Sequence, residues 1–182
     1  MKAAIRVLFV VSAMSFLTAV HAAEDSYYGV KAGFMMPDAS GLGDAVNVGV
    51  VVGAPLTELK RSGSGIEGSL AVEGEFTMTL IKGKVDYNVP ILGNISGKWD
   101  VMTLGGFGVF RSAAVNKFYF KGKAGIAYSS SDVSVSGVSG SGSSTDVVIG
   151  IGGGHKLGKR ENVEVELTLL NDMDFLSVAY HF

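Results

Sequence analysis

Cysteine is absent from this chain, proline occurs three times, histidine three times and tryptophan once. Without cysteine, an exported form has no disulfide framework, and no thiol is available for the lipid anchor of a lipoprotein. The fold must be held by hydrogen bonds and packing. No basic tract reaches the density of a phosphate-binding surface, which argues against nucleic acid as a partner. No cluster of histidine, cysteine or carboxylates has metal-ligand spacing, so neither a metal nor another cofactor is expected. Against these scarcities stand 26 glycines, each costing about 1 kcal/mol relative to alanine inside a helix. Strands and turns are the expected elements.

The N-terminal segment reads as an export signal. Lys2 and Arg6 precede an apolar run over residues 7–20 that closes on Val20-His21-Ala22. A charged start, a short apolar stretch and a small residue at the cut are the parts that the export machinery reads. A helix that spans a membrane would need roughly 20 apolar residues, which disfavours an uncleaved anchor. Cleavage is expected after Ala22, leaving residues 23–182 as one domain. Lys2 and Arg6 would leave with the signal, so the 15 Lys+Arg and 17 Asp+Glu of the whole chain give a mildly acidic mature balance of −4.

Beyond the signal, hydrophobicity alternates with period 2, the mark of strands. Residues 26–36 set Tyr28, Val30, Ala32 and Phe34 against Tyr27, Gly29, Lys31 and Gly33. Residues 45–53 set four valines against Asn47 and Gly49, ahead of a polar link holding Pro55, Lys60 and Arg61. Residues 67–80 set Leu70, Val72, Phe76 and Met78 against Ala71, Glu73, Glu75 and Thr77. An irregular stretch leads to a fourth run, 98–110, with apolar residues on both faces and room for a bulge. Residues 118–128 set Phe118, Phe120, Ala124 and Ile126 against Tyr119, Lys121, Lys123 and Gly125. A Gly/Ser tract, 129–144, reads as a surface loop. Three further runs follow, 146–157, 163–170 and 174–182.

Eight runs of about ten residues match the smallest membrane barrels, and closure is required because unpaired edges are not tolerated in lipid. The expected fold is all-β: a closed eight-stranded antiparallel up-and-down transmembrane β-barrel. A lipocalin-like soluble barrel would share the period. Two features favour lipid. The polar face is mostly Gly, Ala, Ser and Thr, small enough for a narrow lumen, whereas a soluble barrel needs a densely charged outer face. Aromatics also sit near strand ends on the apolar face, as in interfacial girdles: Tyr28, Phe34, Phe118, Tyr128, Tyr180 and Phe182.

Three segments carry a family resemblance: YYGVKAGF at 27–34, FYFKGKAGIAY at 118–128 and VEVELTLLNDMDFLSVAYHF at 163–182. The chain resembles the small outer-membrane barrels of the opacity-protein and outer-membrane-protein-A transmembrane group. The resemblance implies the outer membrane of a Gram-negative bacterium, surrounded by membrane lipid and lipopolysaccharide. It also implies a C-terminal strand, with Val178, Tyr180 and Phe182 on one face, that is read by the barrel-assembly machinery. Nothing follows Phe182, so the peptidoglycan-binding domain of the larger members is not expected.

Seven charges fall on the inward face: Lys31, Glu73, Glu75, Lys121, Lys123, Glu164 and Glu166. Isolated charges in a lumen are costly, so a mutually paired network is expected; a gated path for small ions is the alternative. Of the histidines beyond the signal, His155 and His181 end strands at the periplasmic rim, opposite the outer leaflet, which disfavours a lipid-modifying enzyme. The Gly153 to Lys159 spacing matches a phosphate loop, but Arg160 replaces the magnesium-binding Ser/Thr and no helix follows. Asn94-Ile95-Ser96 matches a glycosylation acceptor, which carries no weight in a bacterial barrel. The expected function is therefore non-enzymatic: envelope structure and display of loops 37–43, 82–97 and 129–144 to a cell-surface partner, adhesion included. A Gly/Ser loop equally suits an inert, solvated tip.

Overall fold

The computed structural model describes residues 26–60, 67–89, 93–135 and 138–182. The signal segment, 1–22, lies outside the described residues. Nine strand segments follow one another: β1 (Tyr27–Pro37), β2 (Ala45–Leu59), β3 (Gly68–Ile81), β4 (Gly83–Val89), β5 (Gly93–Ser112), β6 (Phe118–Val135), β7 (Val138–Lys156), β8 (Asn162–Leu169) and β9 (Met173–His181). All pairings are antiparallel, and β1 with β9 and β3 with β5 close the sheet on itself. At the β1–β9 seam, Tyr28 and Phe182 exchange backbone hydrogen bonds of 3.3 and 2.9 Å.

Eight staves make the barrel, because β3 and β4 are one stave with a break. β3 runs along β5 from Gly68↔Ser112 to Met78↔Met102, and β4 resumes along the same edge at Gly83↔Trp99. The chain advances further on the β3–β4 side than on β5, so the extra residues bulge out between Met78 and Gly83. This corrects the bulge expected in the fourth run. β5 itself keeps constant register with β6 from Gly97↔Val135 to Arg111↔Lys121. Its alternation is hidden because its inward face is apolar too: Trp99, Val101, Phe107 and Val109 are all buried.

Three other sequence expectations change. The Gly/Ser tract is not an irregular loop, since β6 and β7 stay paired through it from Ser129↔Ser144 to Val135↔Val138. Its small side chains need no burial, and the ladder satisfies the backbone groups. The stretch 82–97 is likewise largely a hairpin of β4 and the start of β5. Pro55 lies inside β2, at a register shift against β3 between Pro55 and Thr57, where a missing N–H is tolerated.

Apolar side chains point outward around the barrel, on β5 as well as on the staves whose inward face is polar. Val30, Phe34, Val50, Phe120, Ile126, Ile151, Val165 and Val178 are all exposed, Phe120 by 78%. A continuous belt of this kind is untenable in water and matches the lipid face of a membrane barrel. Tyr28, Phe118, Tyr180 and Phe182 lie toward the end where β1 begins, here the lower end, while Phe34 and Tyr128 lie toward the upper end.

Candidate functional site: the barrel lumen

Side chains two apart on a strand share a face, so β1 sends Lys31 inward, β3 Glu73 and Glu75, β6 Lys121 and Lys123, and β8 Glu164 and Glu166. All seven are buried. Lys31 Nζ lies 2.9 Å from Glu75 and 2.7 Å from Glu166. Lys121 Nζ reaches three carboxylates, Glu166 at 2.8 Å, Glu164 at 2.9 Å and Glu73 at 3.1 Å. Lys123 Nζ lies 2.7 Å from both Glu75 and Glu166 and 4.2 Å from the centre of the Phe107 ring.

A fourth cation completes the set. Arg111, just past the end of the run assigned to the fourth strand, donates to Glu73 and, at 2.7 Å, to Glu164. Four carboxylates then face four cations. Arg111 was missed because the register of β5 could not be read; once Phe107 and Val109 are known to point inward, Arg111 follows by parity. His181, Tyr27 and Tyr119 join the same cluster. His181 Nε2 lies 3.1 Å from Glu164, and the tyrosine hydroxyls donate to Glu73 at 2.8 Å and Glu164 at 2.7 Å.

A repeated three-strand pattern builds these contacts. Tyr27, Gly53 and Glu73 are successive cross-strand neighbours on β1, β2 and β3. Tyr119, Gly154 and Glu164 repeat the arrangement on β6, β7 and β8, and Lys121, Gly152 and Glu166 repeat it one layer higher. Over Gly53 and Gly154 the tyrosine ring crosses the bare middle strand to the acid beyond, and Lys121 Nζ likewise reaches Glu166 two strands away. A Cβ on Gly53 would stand 2.1 Å from the Tyr27 ring, and one on Gly154 2.2 Å from the Tyr119 ring.

Above the charges the lumen changes character. Thr77 and Thr103 share a 2.8 Å hydrogen bond, and Thr79 donates to Asn47 at 2.8 Å. A cavity of about 20 Å³ lies between Glu75, Thr103, Phe107, Thr168 and Phe175, room for about one water. An apolar stopper caps the upper end: Met35, Ala45, Val85, Trp99, Val101 and Phe175 pack together, and Trp99 Nε1 donates to the Gly43 carbonyl at 2.8 Å. The sequence reading of a lumen filled by small residues is corrected here, since the upper layer is bulky and apolar. Outside the barrel, Lys82 pairs with Asp100, and that hydrogen bond holds the ammonium above its ordinary range.

The remaining motifs are structural. Residues 153–156 end β7, and a turn closed by Leu157 N donating to Glu161 O at 2.9 Å leads into β8, so the phosphate-loop spacing falls on a strand and turn. Asn94 to Ser96 pair with β4. His155 packs on Phe118, ring centres 4.5 Å apart, at the lower rim. Val178 and Tyr180 lie on the outer face of β9, and Phe182, just past its end, is exposed beside Tyr180 with ring centres 6.2 Å apart.

A closed barrel of eight staves with a lipid-facing outer belt and a lumen filled by ion pairs is a small transmembrane barrel of the kind that spans bacterial outer membranes. The family model of the outer membrane protein beta-barrel domain matches residues 8–180, and the chain belongs to that family, at home in the Gram-negative outer membrane. Two solved structures, each with a TM-score of 0.56, agree in fold. Neisserial surface protein A is similar at a TM-score of 0.56 and 11% identity, over 86% of this chain and 95% of that one. OprG from Pseudomonas aeruginosa is similar at a TM-score of 0.56 and 9% identity, over 88% and 97%. The outer membrane enzyme PagL is similar at a TM-score of 0.48 and 16% identity, over 85% and 98%. No curated protein matches in sequence.

Proposed function

We propose that this protein is a non-enzymatic barrel that stiffens the outer membrane and holds its upper hairpins out from the cell surface for contact with other surfaces. One observation carries the reading. The β6–β7 ladder continues from Ser129↔Ser144 to Val135↔Val138, past the level where β8 turns into β9, so the fold carries a strand pair beyond its own closed section. The filled lumen fits a structural rather than a conducting role, and both histidines beyond the signal sit at the lower rim, away from the outer leaflet. In this reading the upper end faces outward, lipopolysaccharide surrounds it, and the outer face of β9 with Phe182 is what the assembly machinery engages.

Complementation of a deletion strain tests this. The full barrel is compared with a version whose upper connections are cut to tight turns. The full barrel is expected to restore both envelope robustness and surface binding, and the cut version robustness alone. Equal surface binding by both would remove the display function.

A further inference from the structure

The projecting hairpin has one open edge, and the residues along it select a partner. The uppermost pairing between β7 and β8 is Ile149↔Leu169. Above it β8 turns away, with Leu170 N donating to Met173 O at 3.0 Å, while β7 extends to Val138 paired along one edge only, to β6. Among the described residues, the outer edge of β7 over 138–147 therefore presents backbone donors and acceptors with no strand partner, on alternate residues. The opposite margin of this upper sheet is closed. There the β1–β2 turn covers β4, with Gly43 N donating to Lys84 O and Asp86 N to Gly41 O, both at 2.8 Å.

Native edges are normally blunted by proline, lysine, a bulge or brevity. Residues 138–147 contain no proline and no lysine, and their register with β6 is unbroken. Ser139, Ser141, Ser143 and Thr145 are exposed and small, so they raise no steric barrier to an added strand.

Charge narrows the choice of strand. From residue 125 to 155 there is no lysine or arginine. Asp146 lies on the edge strand, half-buried and accepting from Ser144 Oγ at 2.6 Å; Asp132 is the cross-strand neighbour of Ser141, and Asp174, paired with Leu169, stands at its foot. A second copy of this chain would bring the same acids to the same place.

We propose that the open edge of β7 takes an extended polypeptide segment carrying lysine or arginine, which adds as a strand by backbone hydrogen bonds and is selected by the aspartates beside it. This rests on the display reading and names the chemistry of the partner.

The test uses the folded barrel in lipid nanodiscs and a ten-residue peptide of alternating lysine and threonine. Saturable binding is expected, with slowed hydrogen exchange at amides within residues 138–147. A peptide of alternating lysine and proline has equal charge but cannot join a ladder, and should bind at least about tenfold more weakly. Asp132→Asn with Asp146→Asn should weaken binding and flatten its salt dependence. Replacing residues 130–143 by Asn-Gly, which joins the paired Ser129 and Ser144 directly, should abolish binding and leave the barrel folded. Equal binding of the two peptides, or unchanged exchange at saturation, would overturn the proposal, as would dimerisation through this edge without peptide. The two readings fail separately. If the cut barrel loses surface binding on cells but the intact one ignores the peptide, only the strand-addition proposal falls. If the peptide binds and cells with cut connections bind surfaces as before, the display reading falls.

Discussion

Lys121 and Glu164 are 43 residues apart in the chain and 2.9 Å apart in the lumen. The same ammonium also meets Glu73 and Glu166, so one cation holds together acids from β3 and β8. Truncation to Lys121→Met takes one shared cation from three buried carboxylates that keep Arg111, Lys31 and Lys123 as partners, and a loss of about 3–5 kcal/mol is expected. Urea unfolding in vesicles measures it. Adding Glu166→Gln to the Met variant should recover part of the loss, and strict additivity of the two substitutions would contradict the coupled network.

Gly154 leaves the space that the Tyr119 ring fills. Gly154→Val should cost about 1–3 kcal/mol through overpacking. Its penalty should shrink in a Tyr119→Ala background, where the ring is gone. A penalty that does not depend on residue 119 would place the strain elsewhere.

With ion pairs below and the Trp99 stopper above, the pure barrel is expected to show no steady conductance in a planar bilayer. A reproducible open level in the unmodified protein would restore the narrow-pore alternative.

On the outer face, Ile126 is 61% exposed in the lipid-facing belt of β6. Ile126→Arg should destabilise the barrel by about 2–4 kcal/mol in bilayers if the residue lies near the midplane, and less toward an interface. Substitution at exposed Ser141 on the upper hairpin should be close to neutral. An equal tolerance at both positions would contradict a lipid belt.

Removing Phe182, whose backbone closes the seam with Tyr28, should slow assembly in cells more than it lowers the urea midpoint of refolded barrel. Normal assembly rates without it would remove the role given to the end of β9.

Much of the fold is legible in the sequence because each stave but one separates its two faces by chemistry. β6 is the clearest case, with Phe118, Phe120 and Ile126 outside and Tyr119, Lys121 and Lys123 inside. β5 defeated the same reasoning. Its upper lumen face packs Trp99 and Val101 into the stopper, so apolar residues occur at both parities, and Arg111 was lost with the register. The Gly/Ser hairpin was also illegible, for the opposite reason: its pairing rests on backbone hydrogen bonds that leave no pattern in the side chains. The sign of the inward charges was readable, but their partners were not. Those depend on how the staves close and on which inward positions are glycine, as Gly53 and Gly154 demonstrate.

Trp99 is the single tryptophan of the chain, and its indole is bound to Gly43 O among side chains from β1, β2, β4, β5 and β9. Intrinsic fluorescence therefore reports one place without any label. Its emission records when the upper stopper forms, so the closing of the barrel mouth can be timed separately from the arrival of the outer belt in lipid.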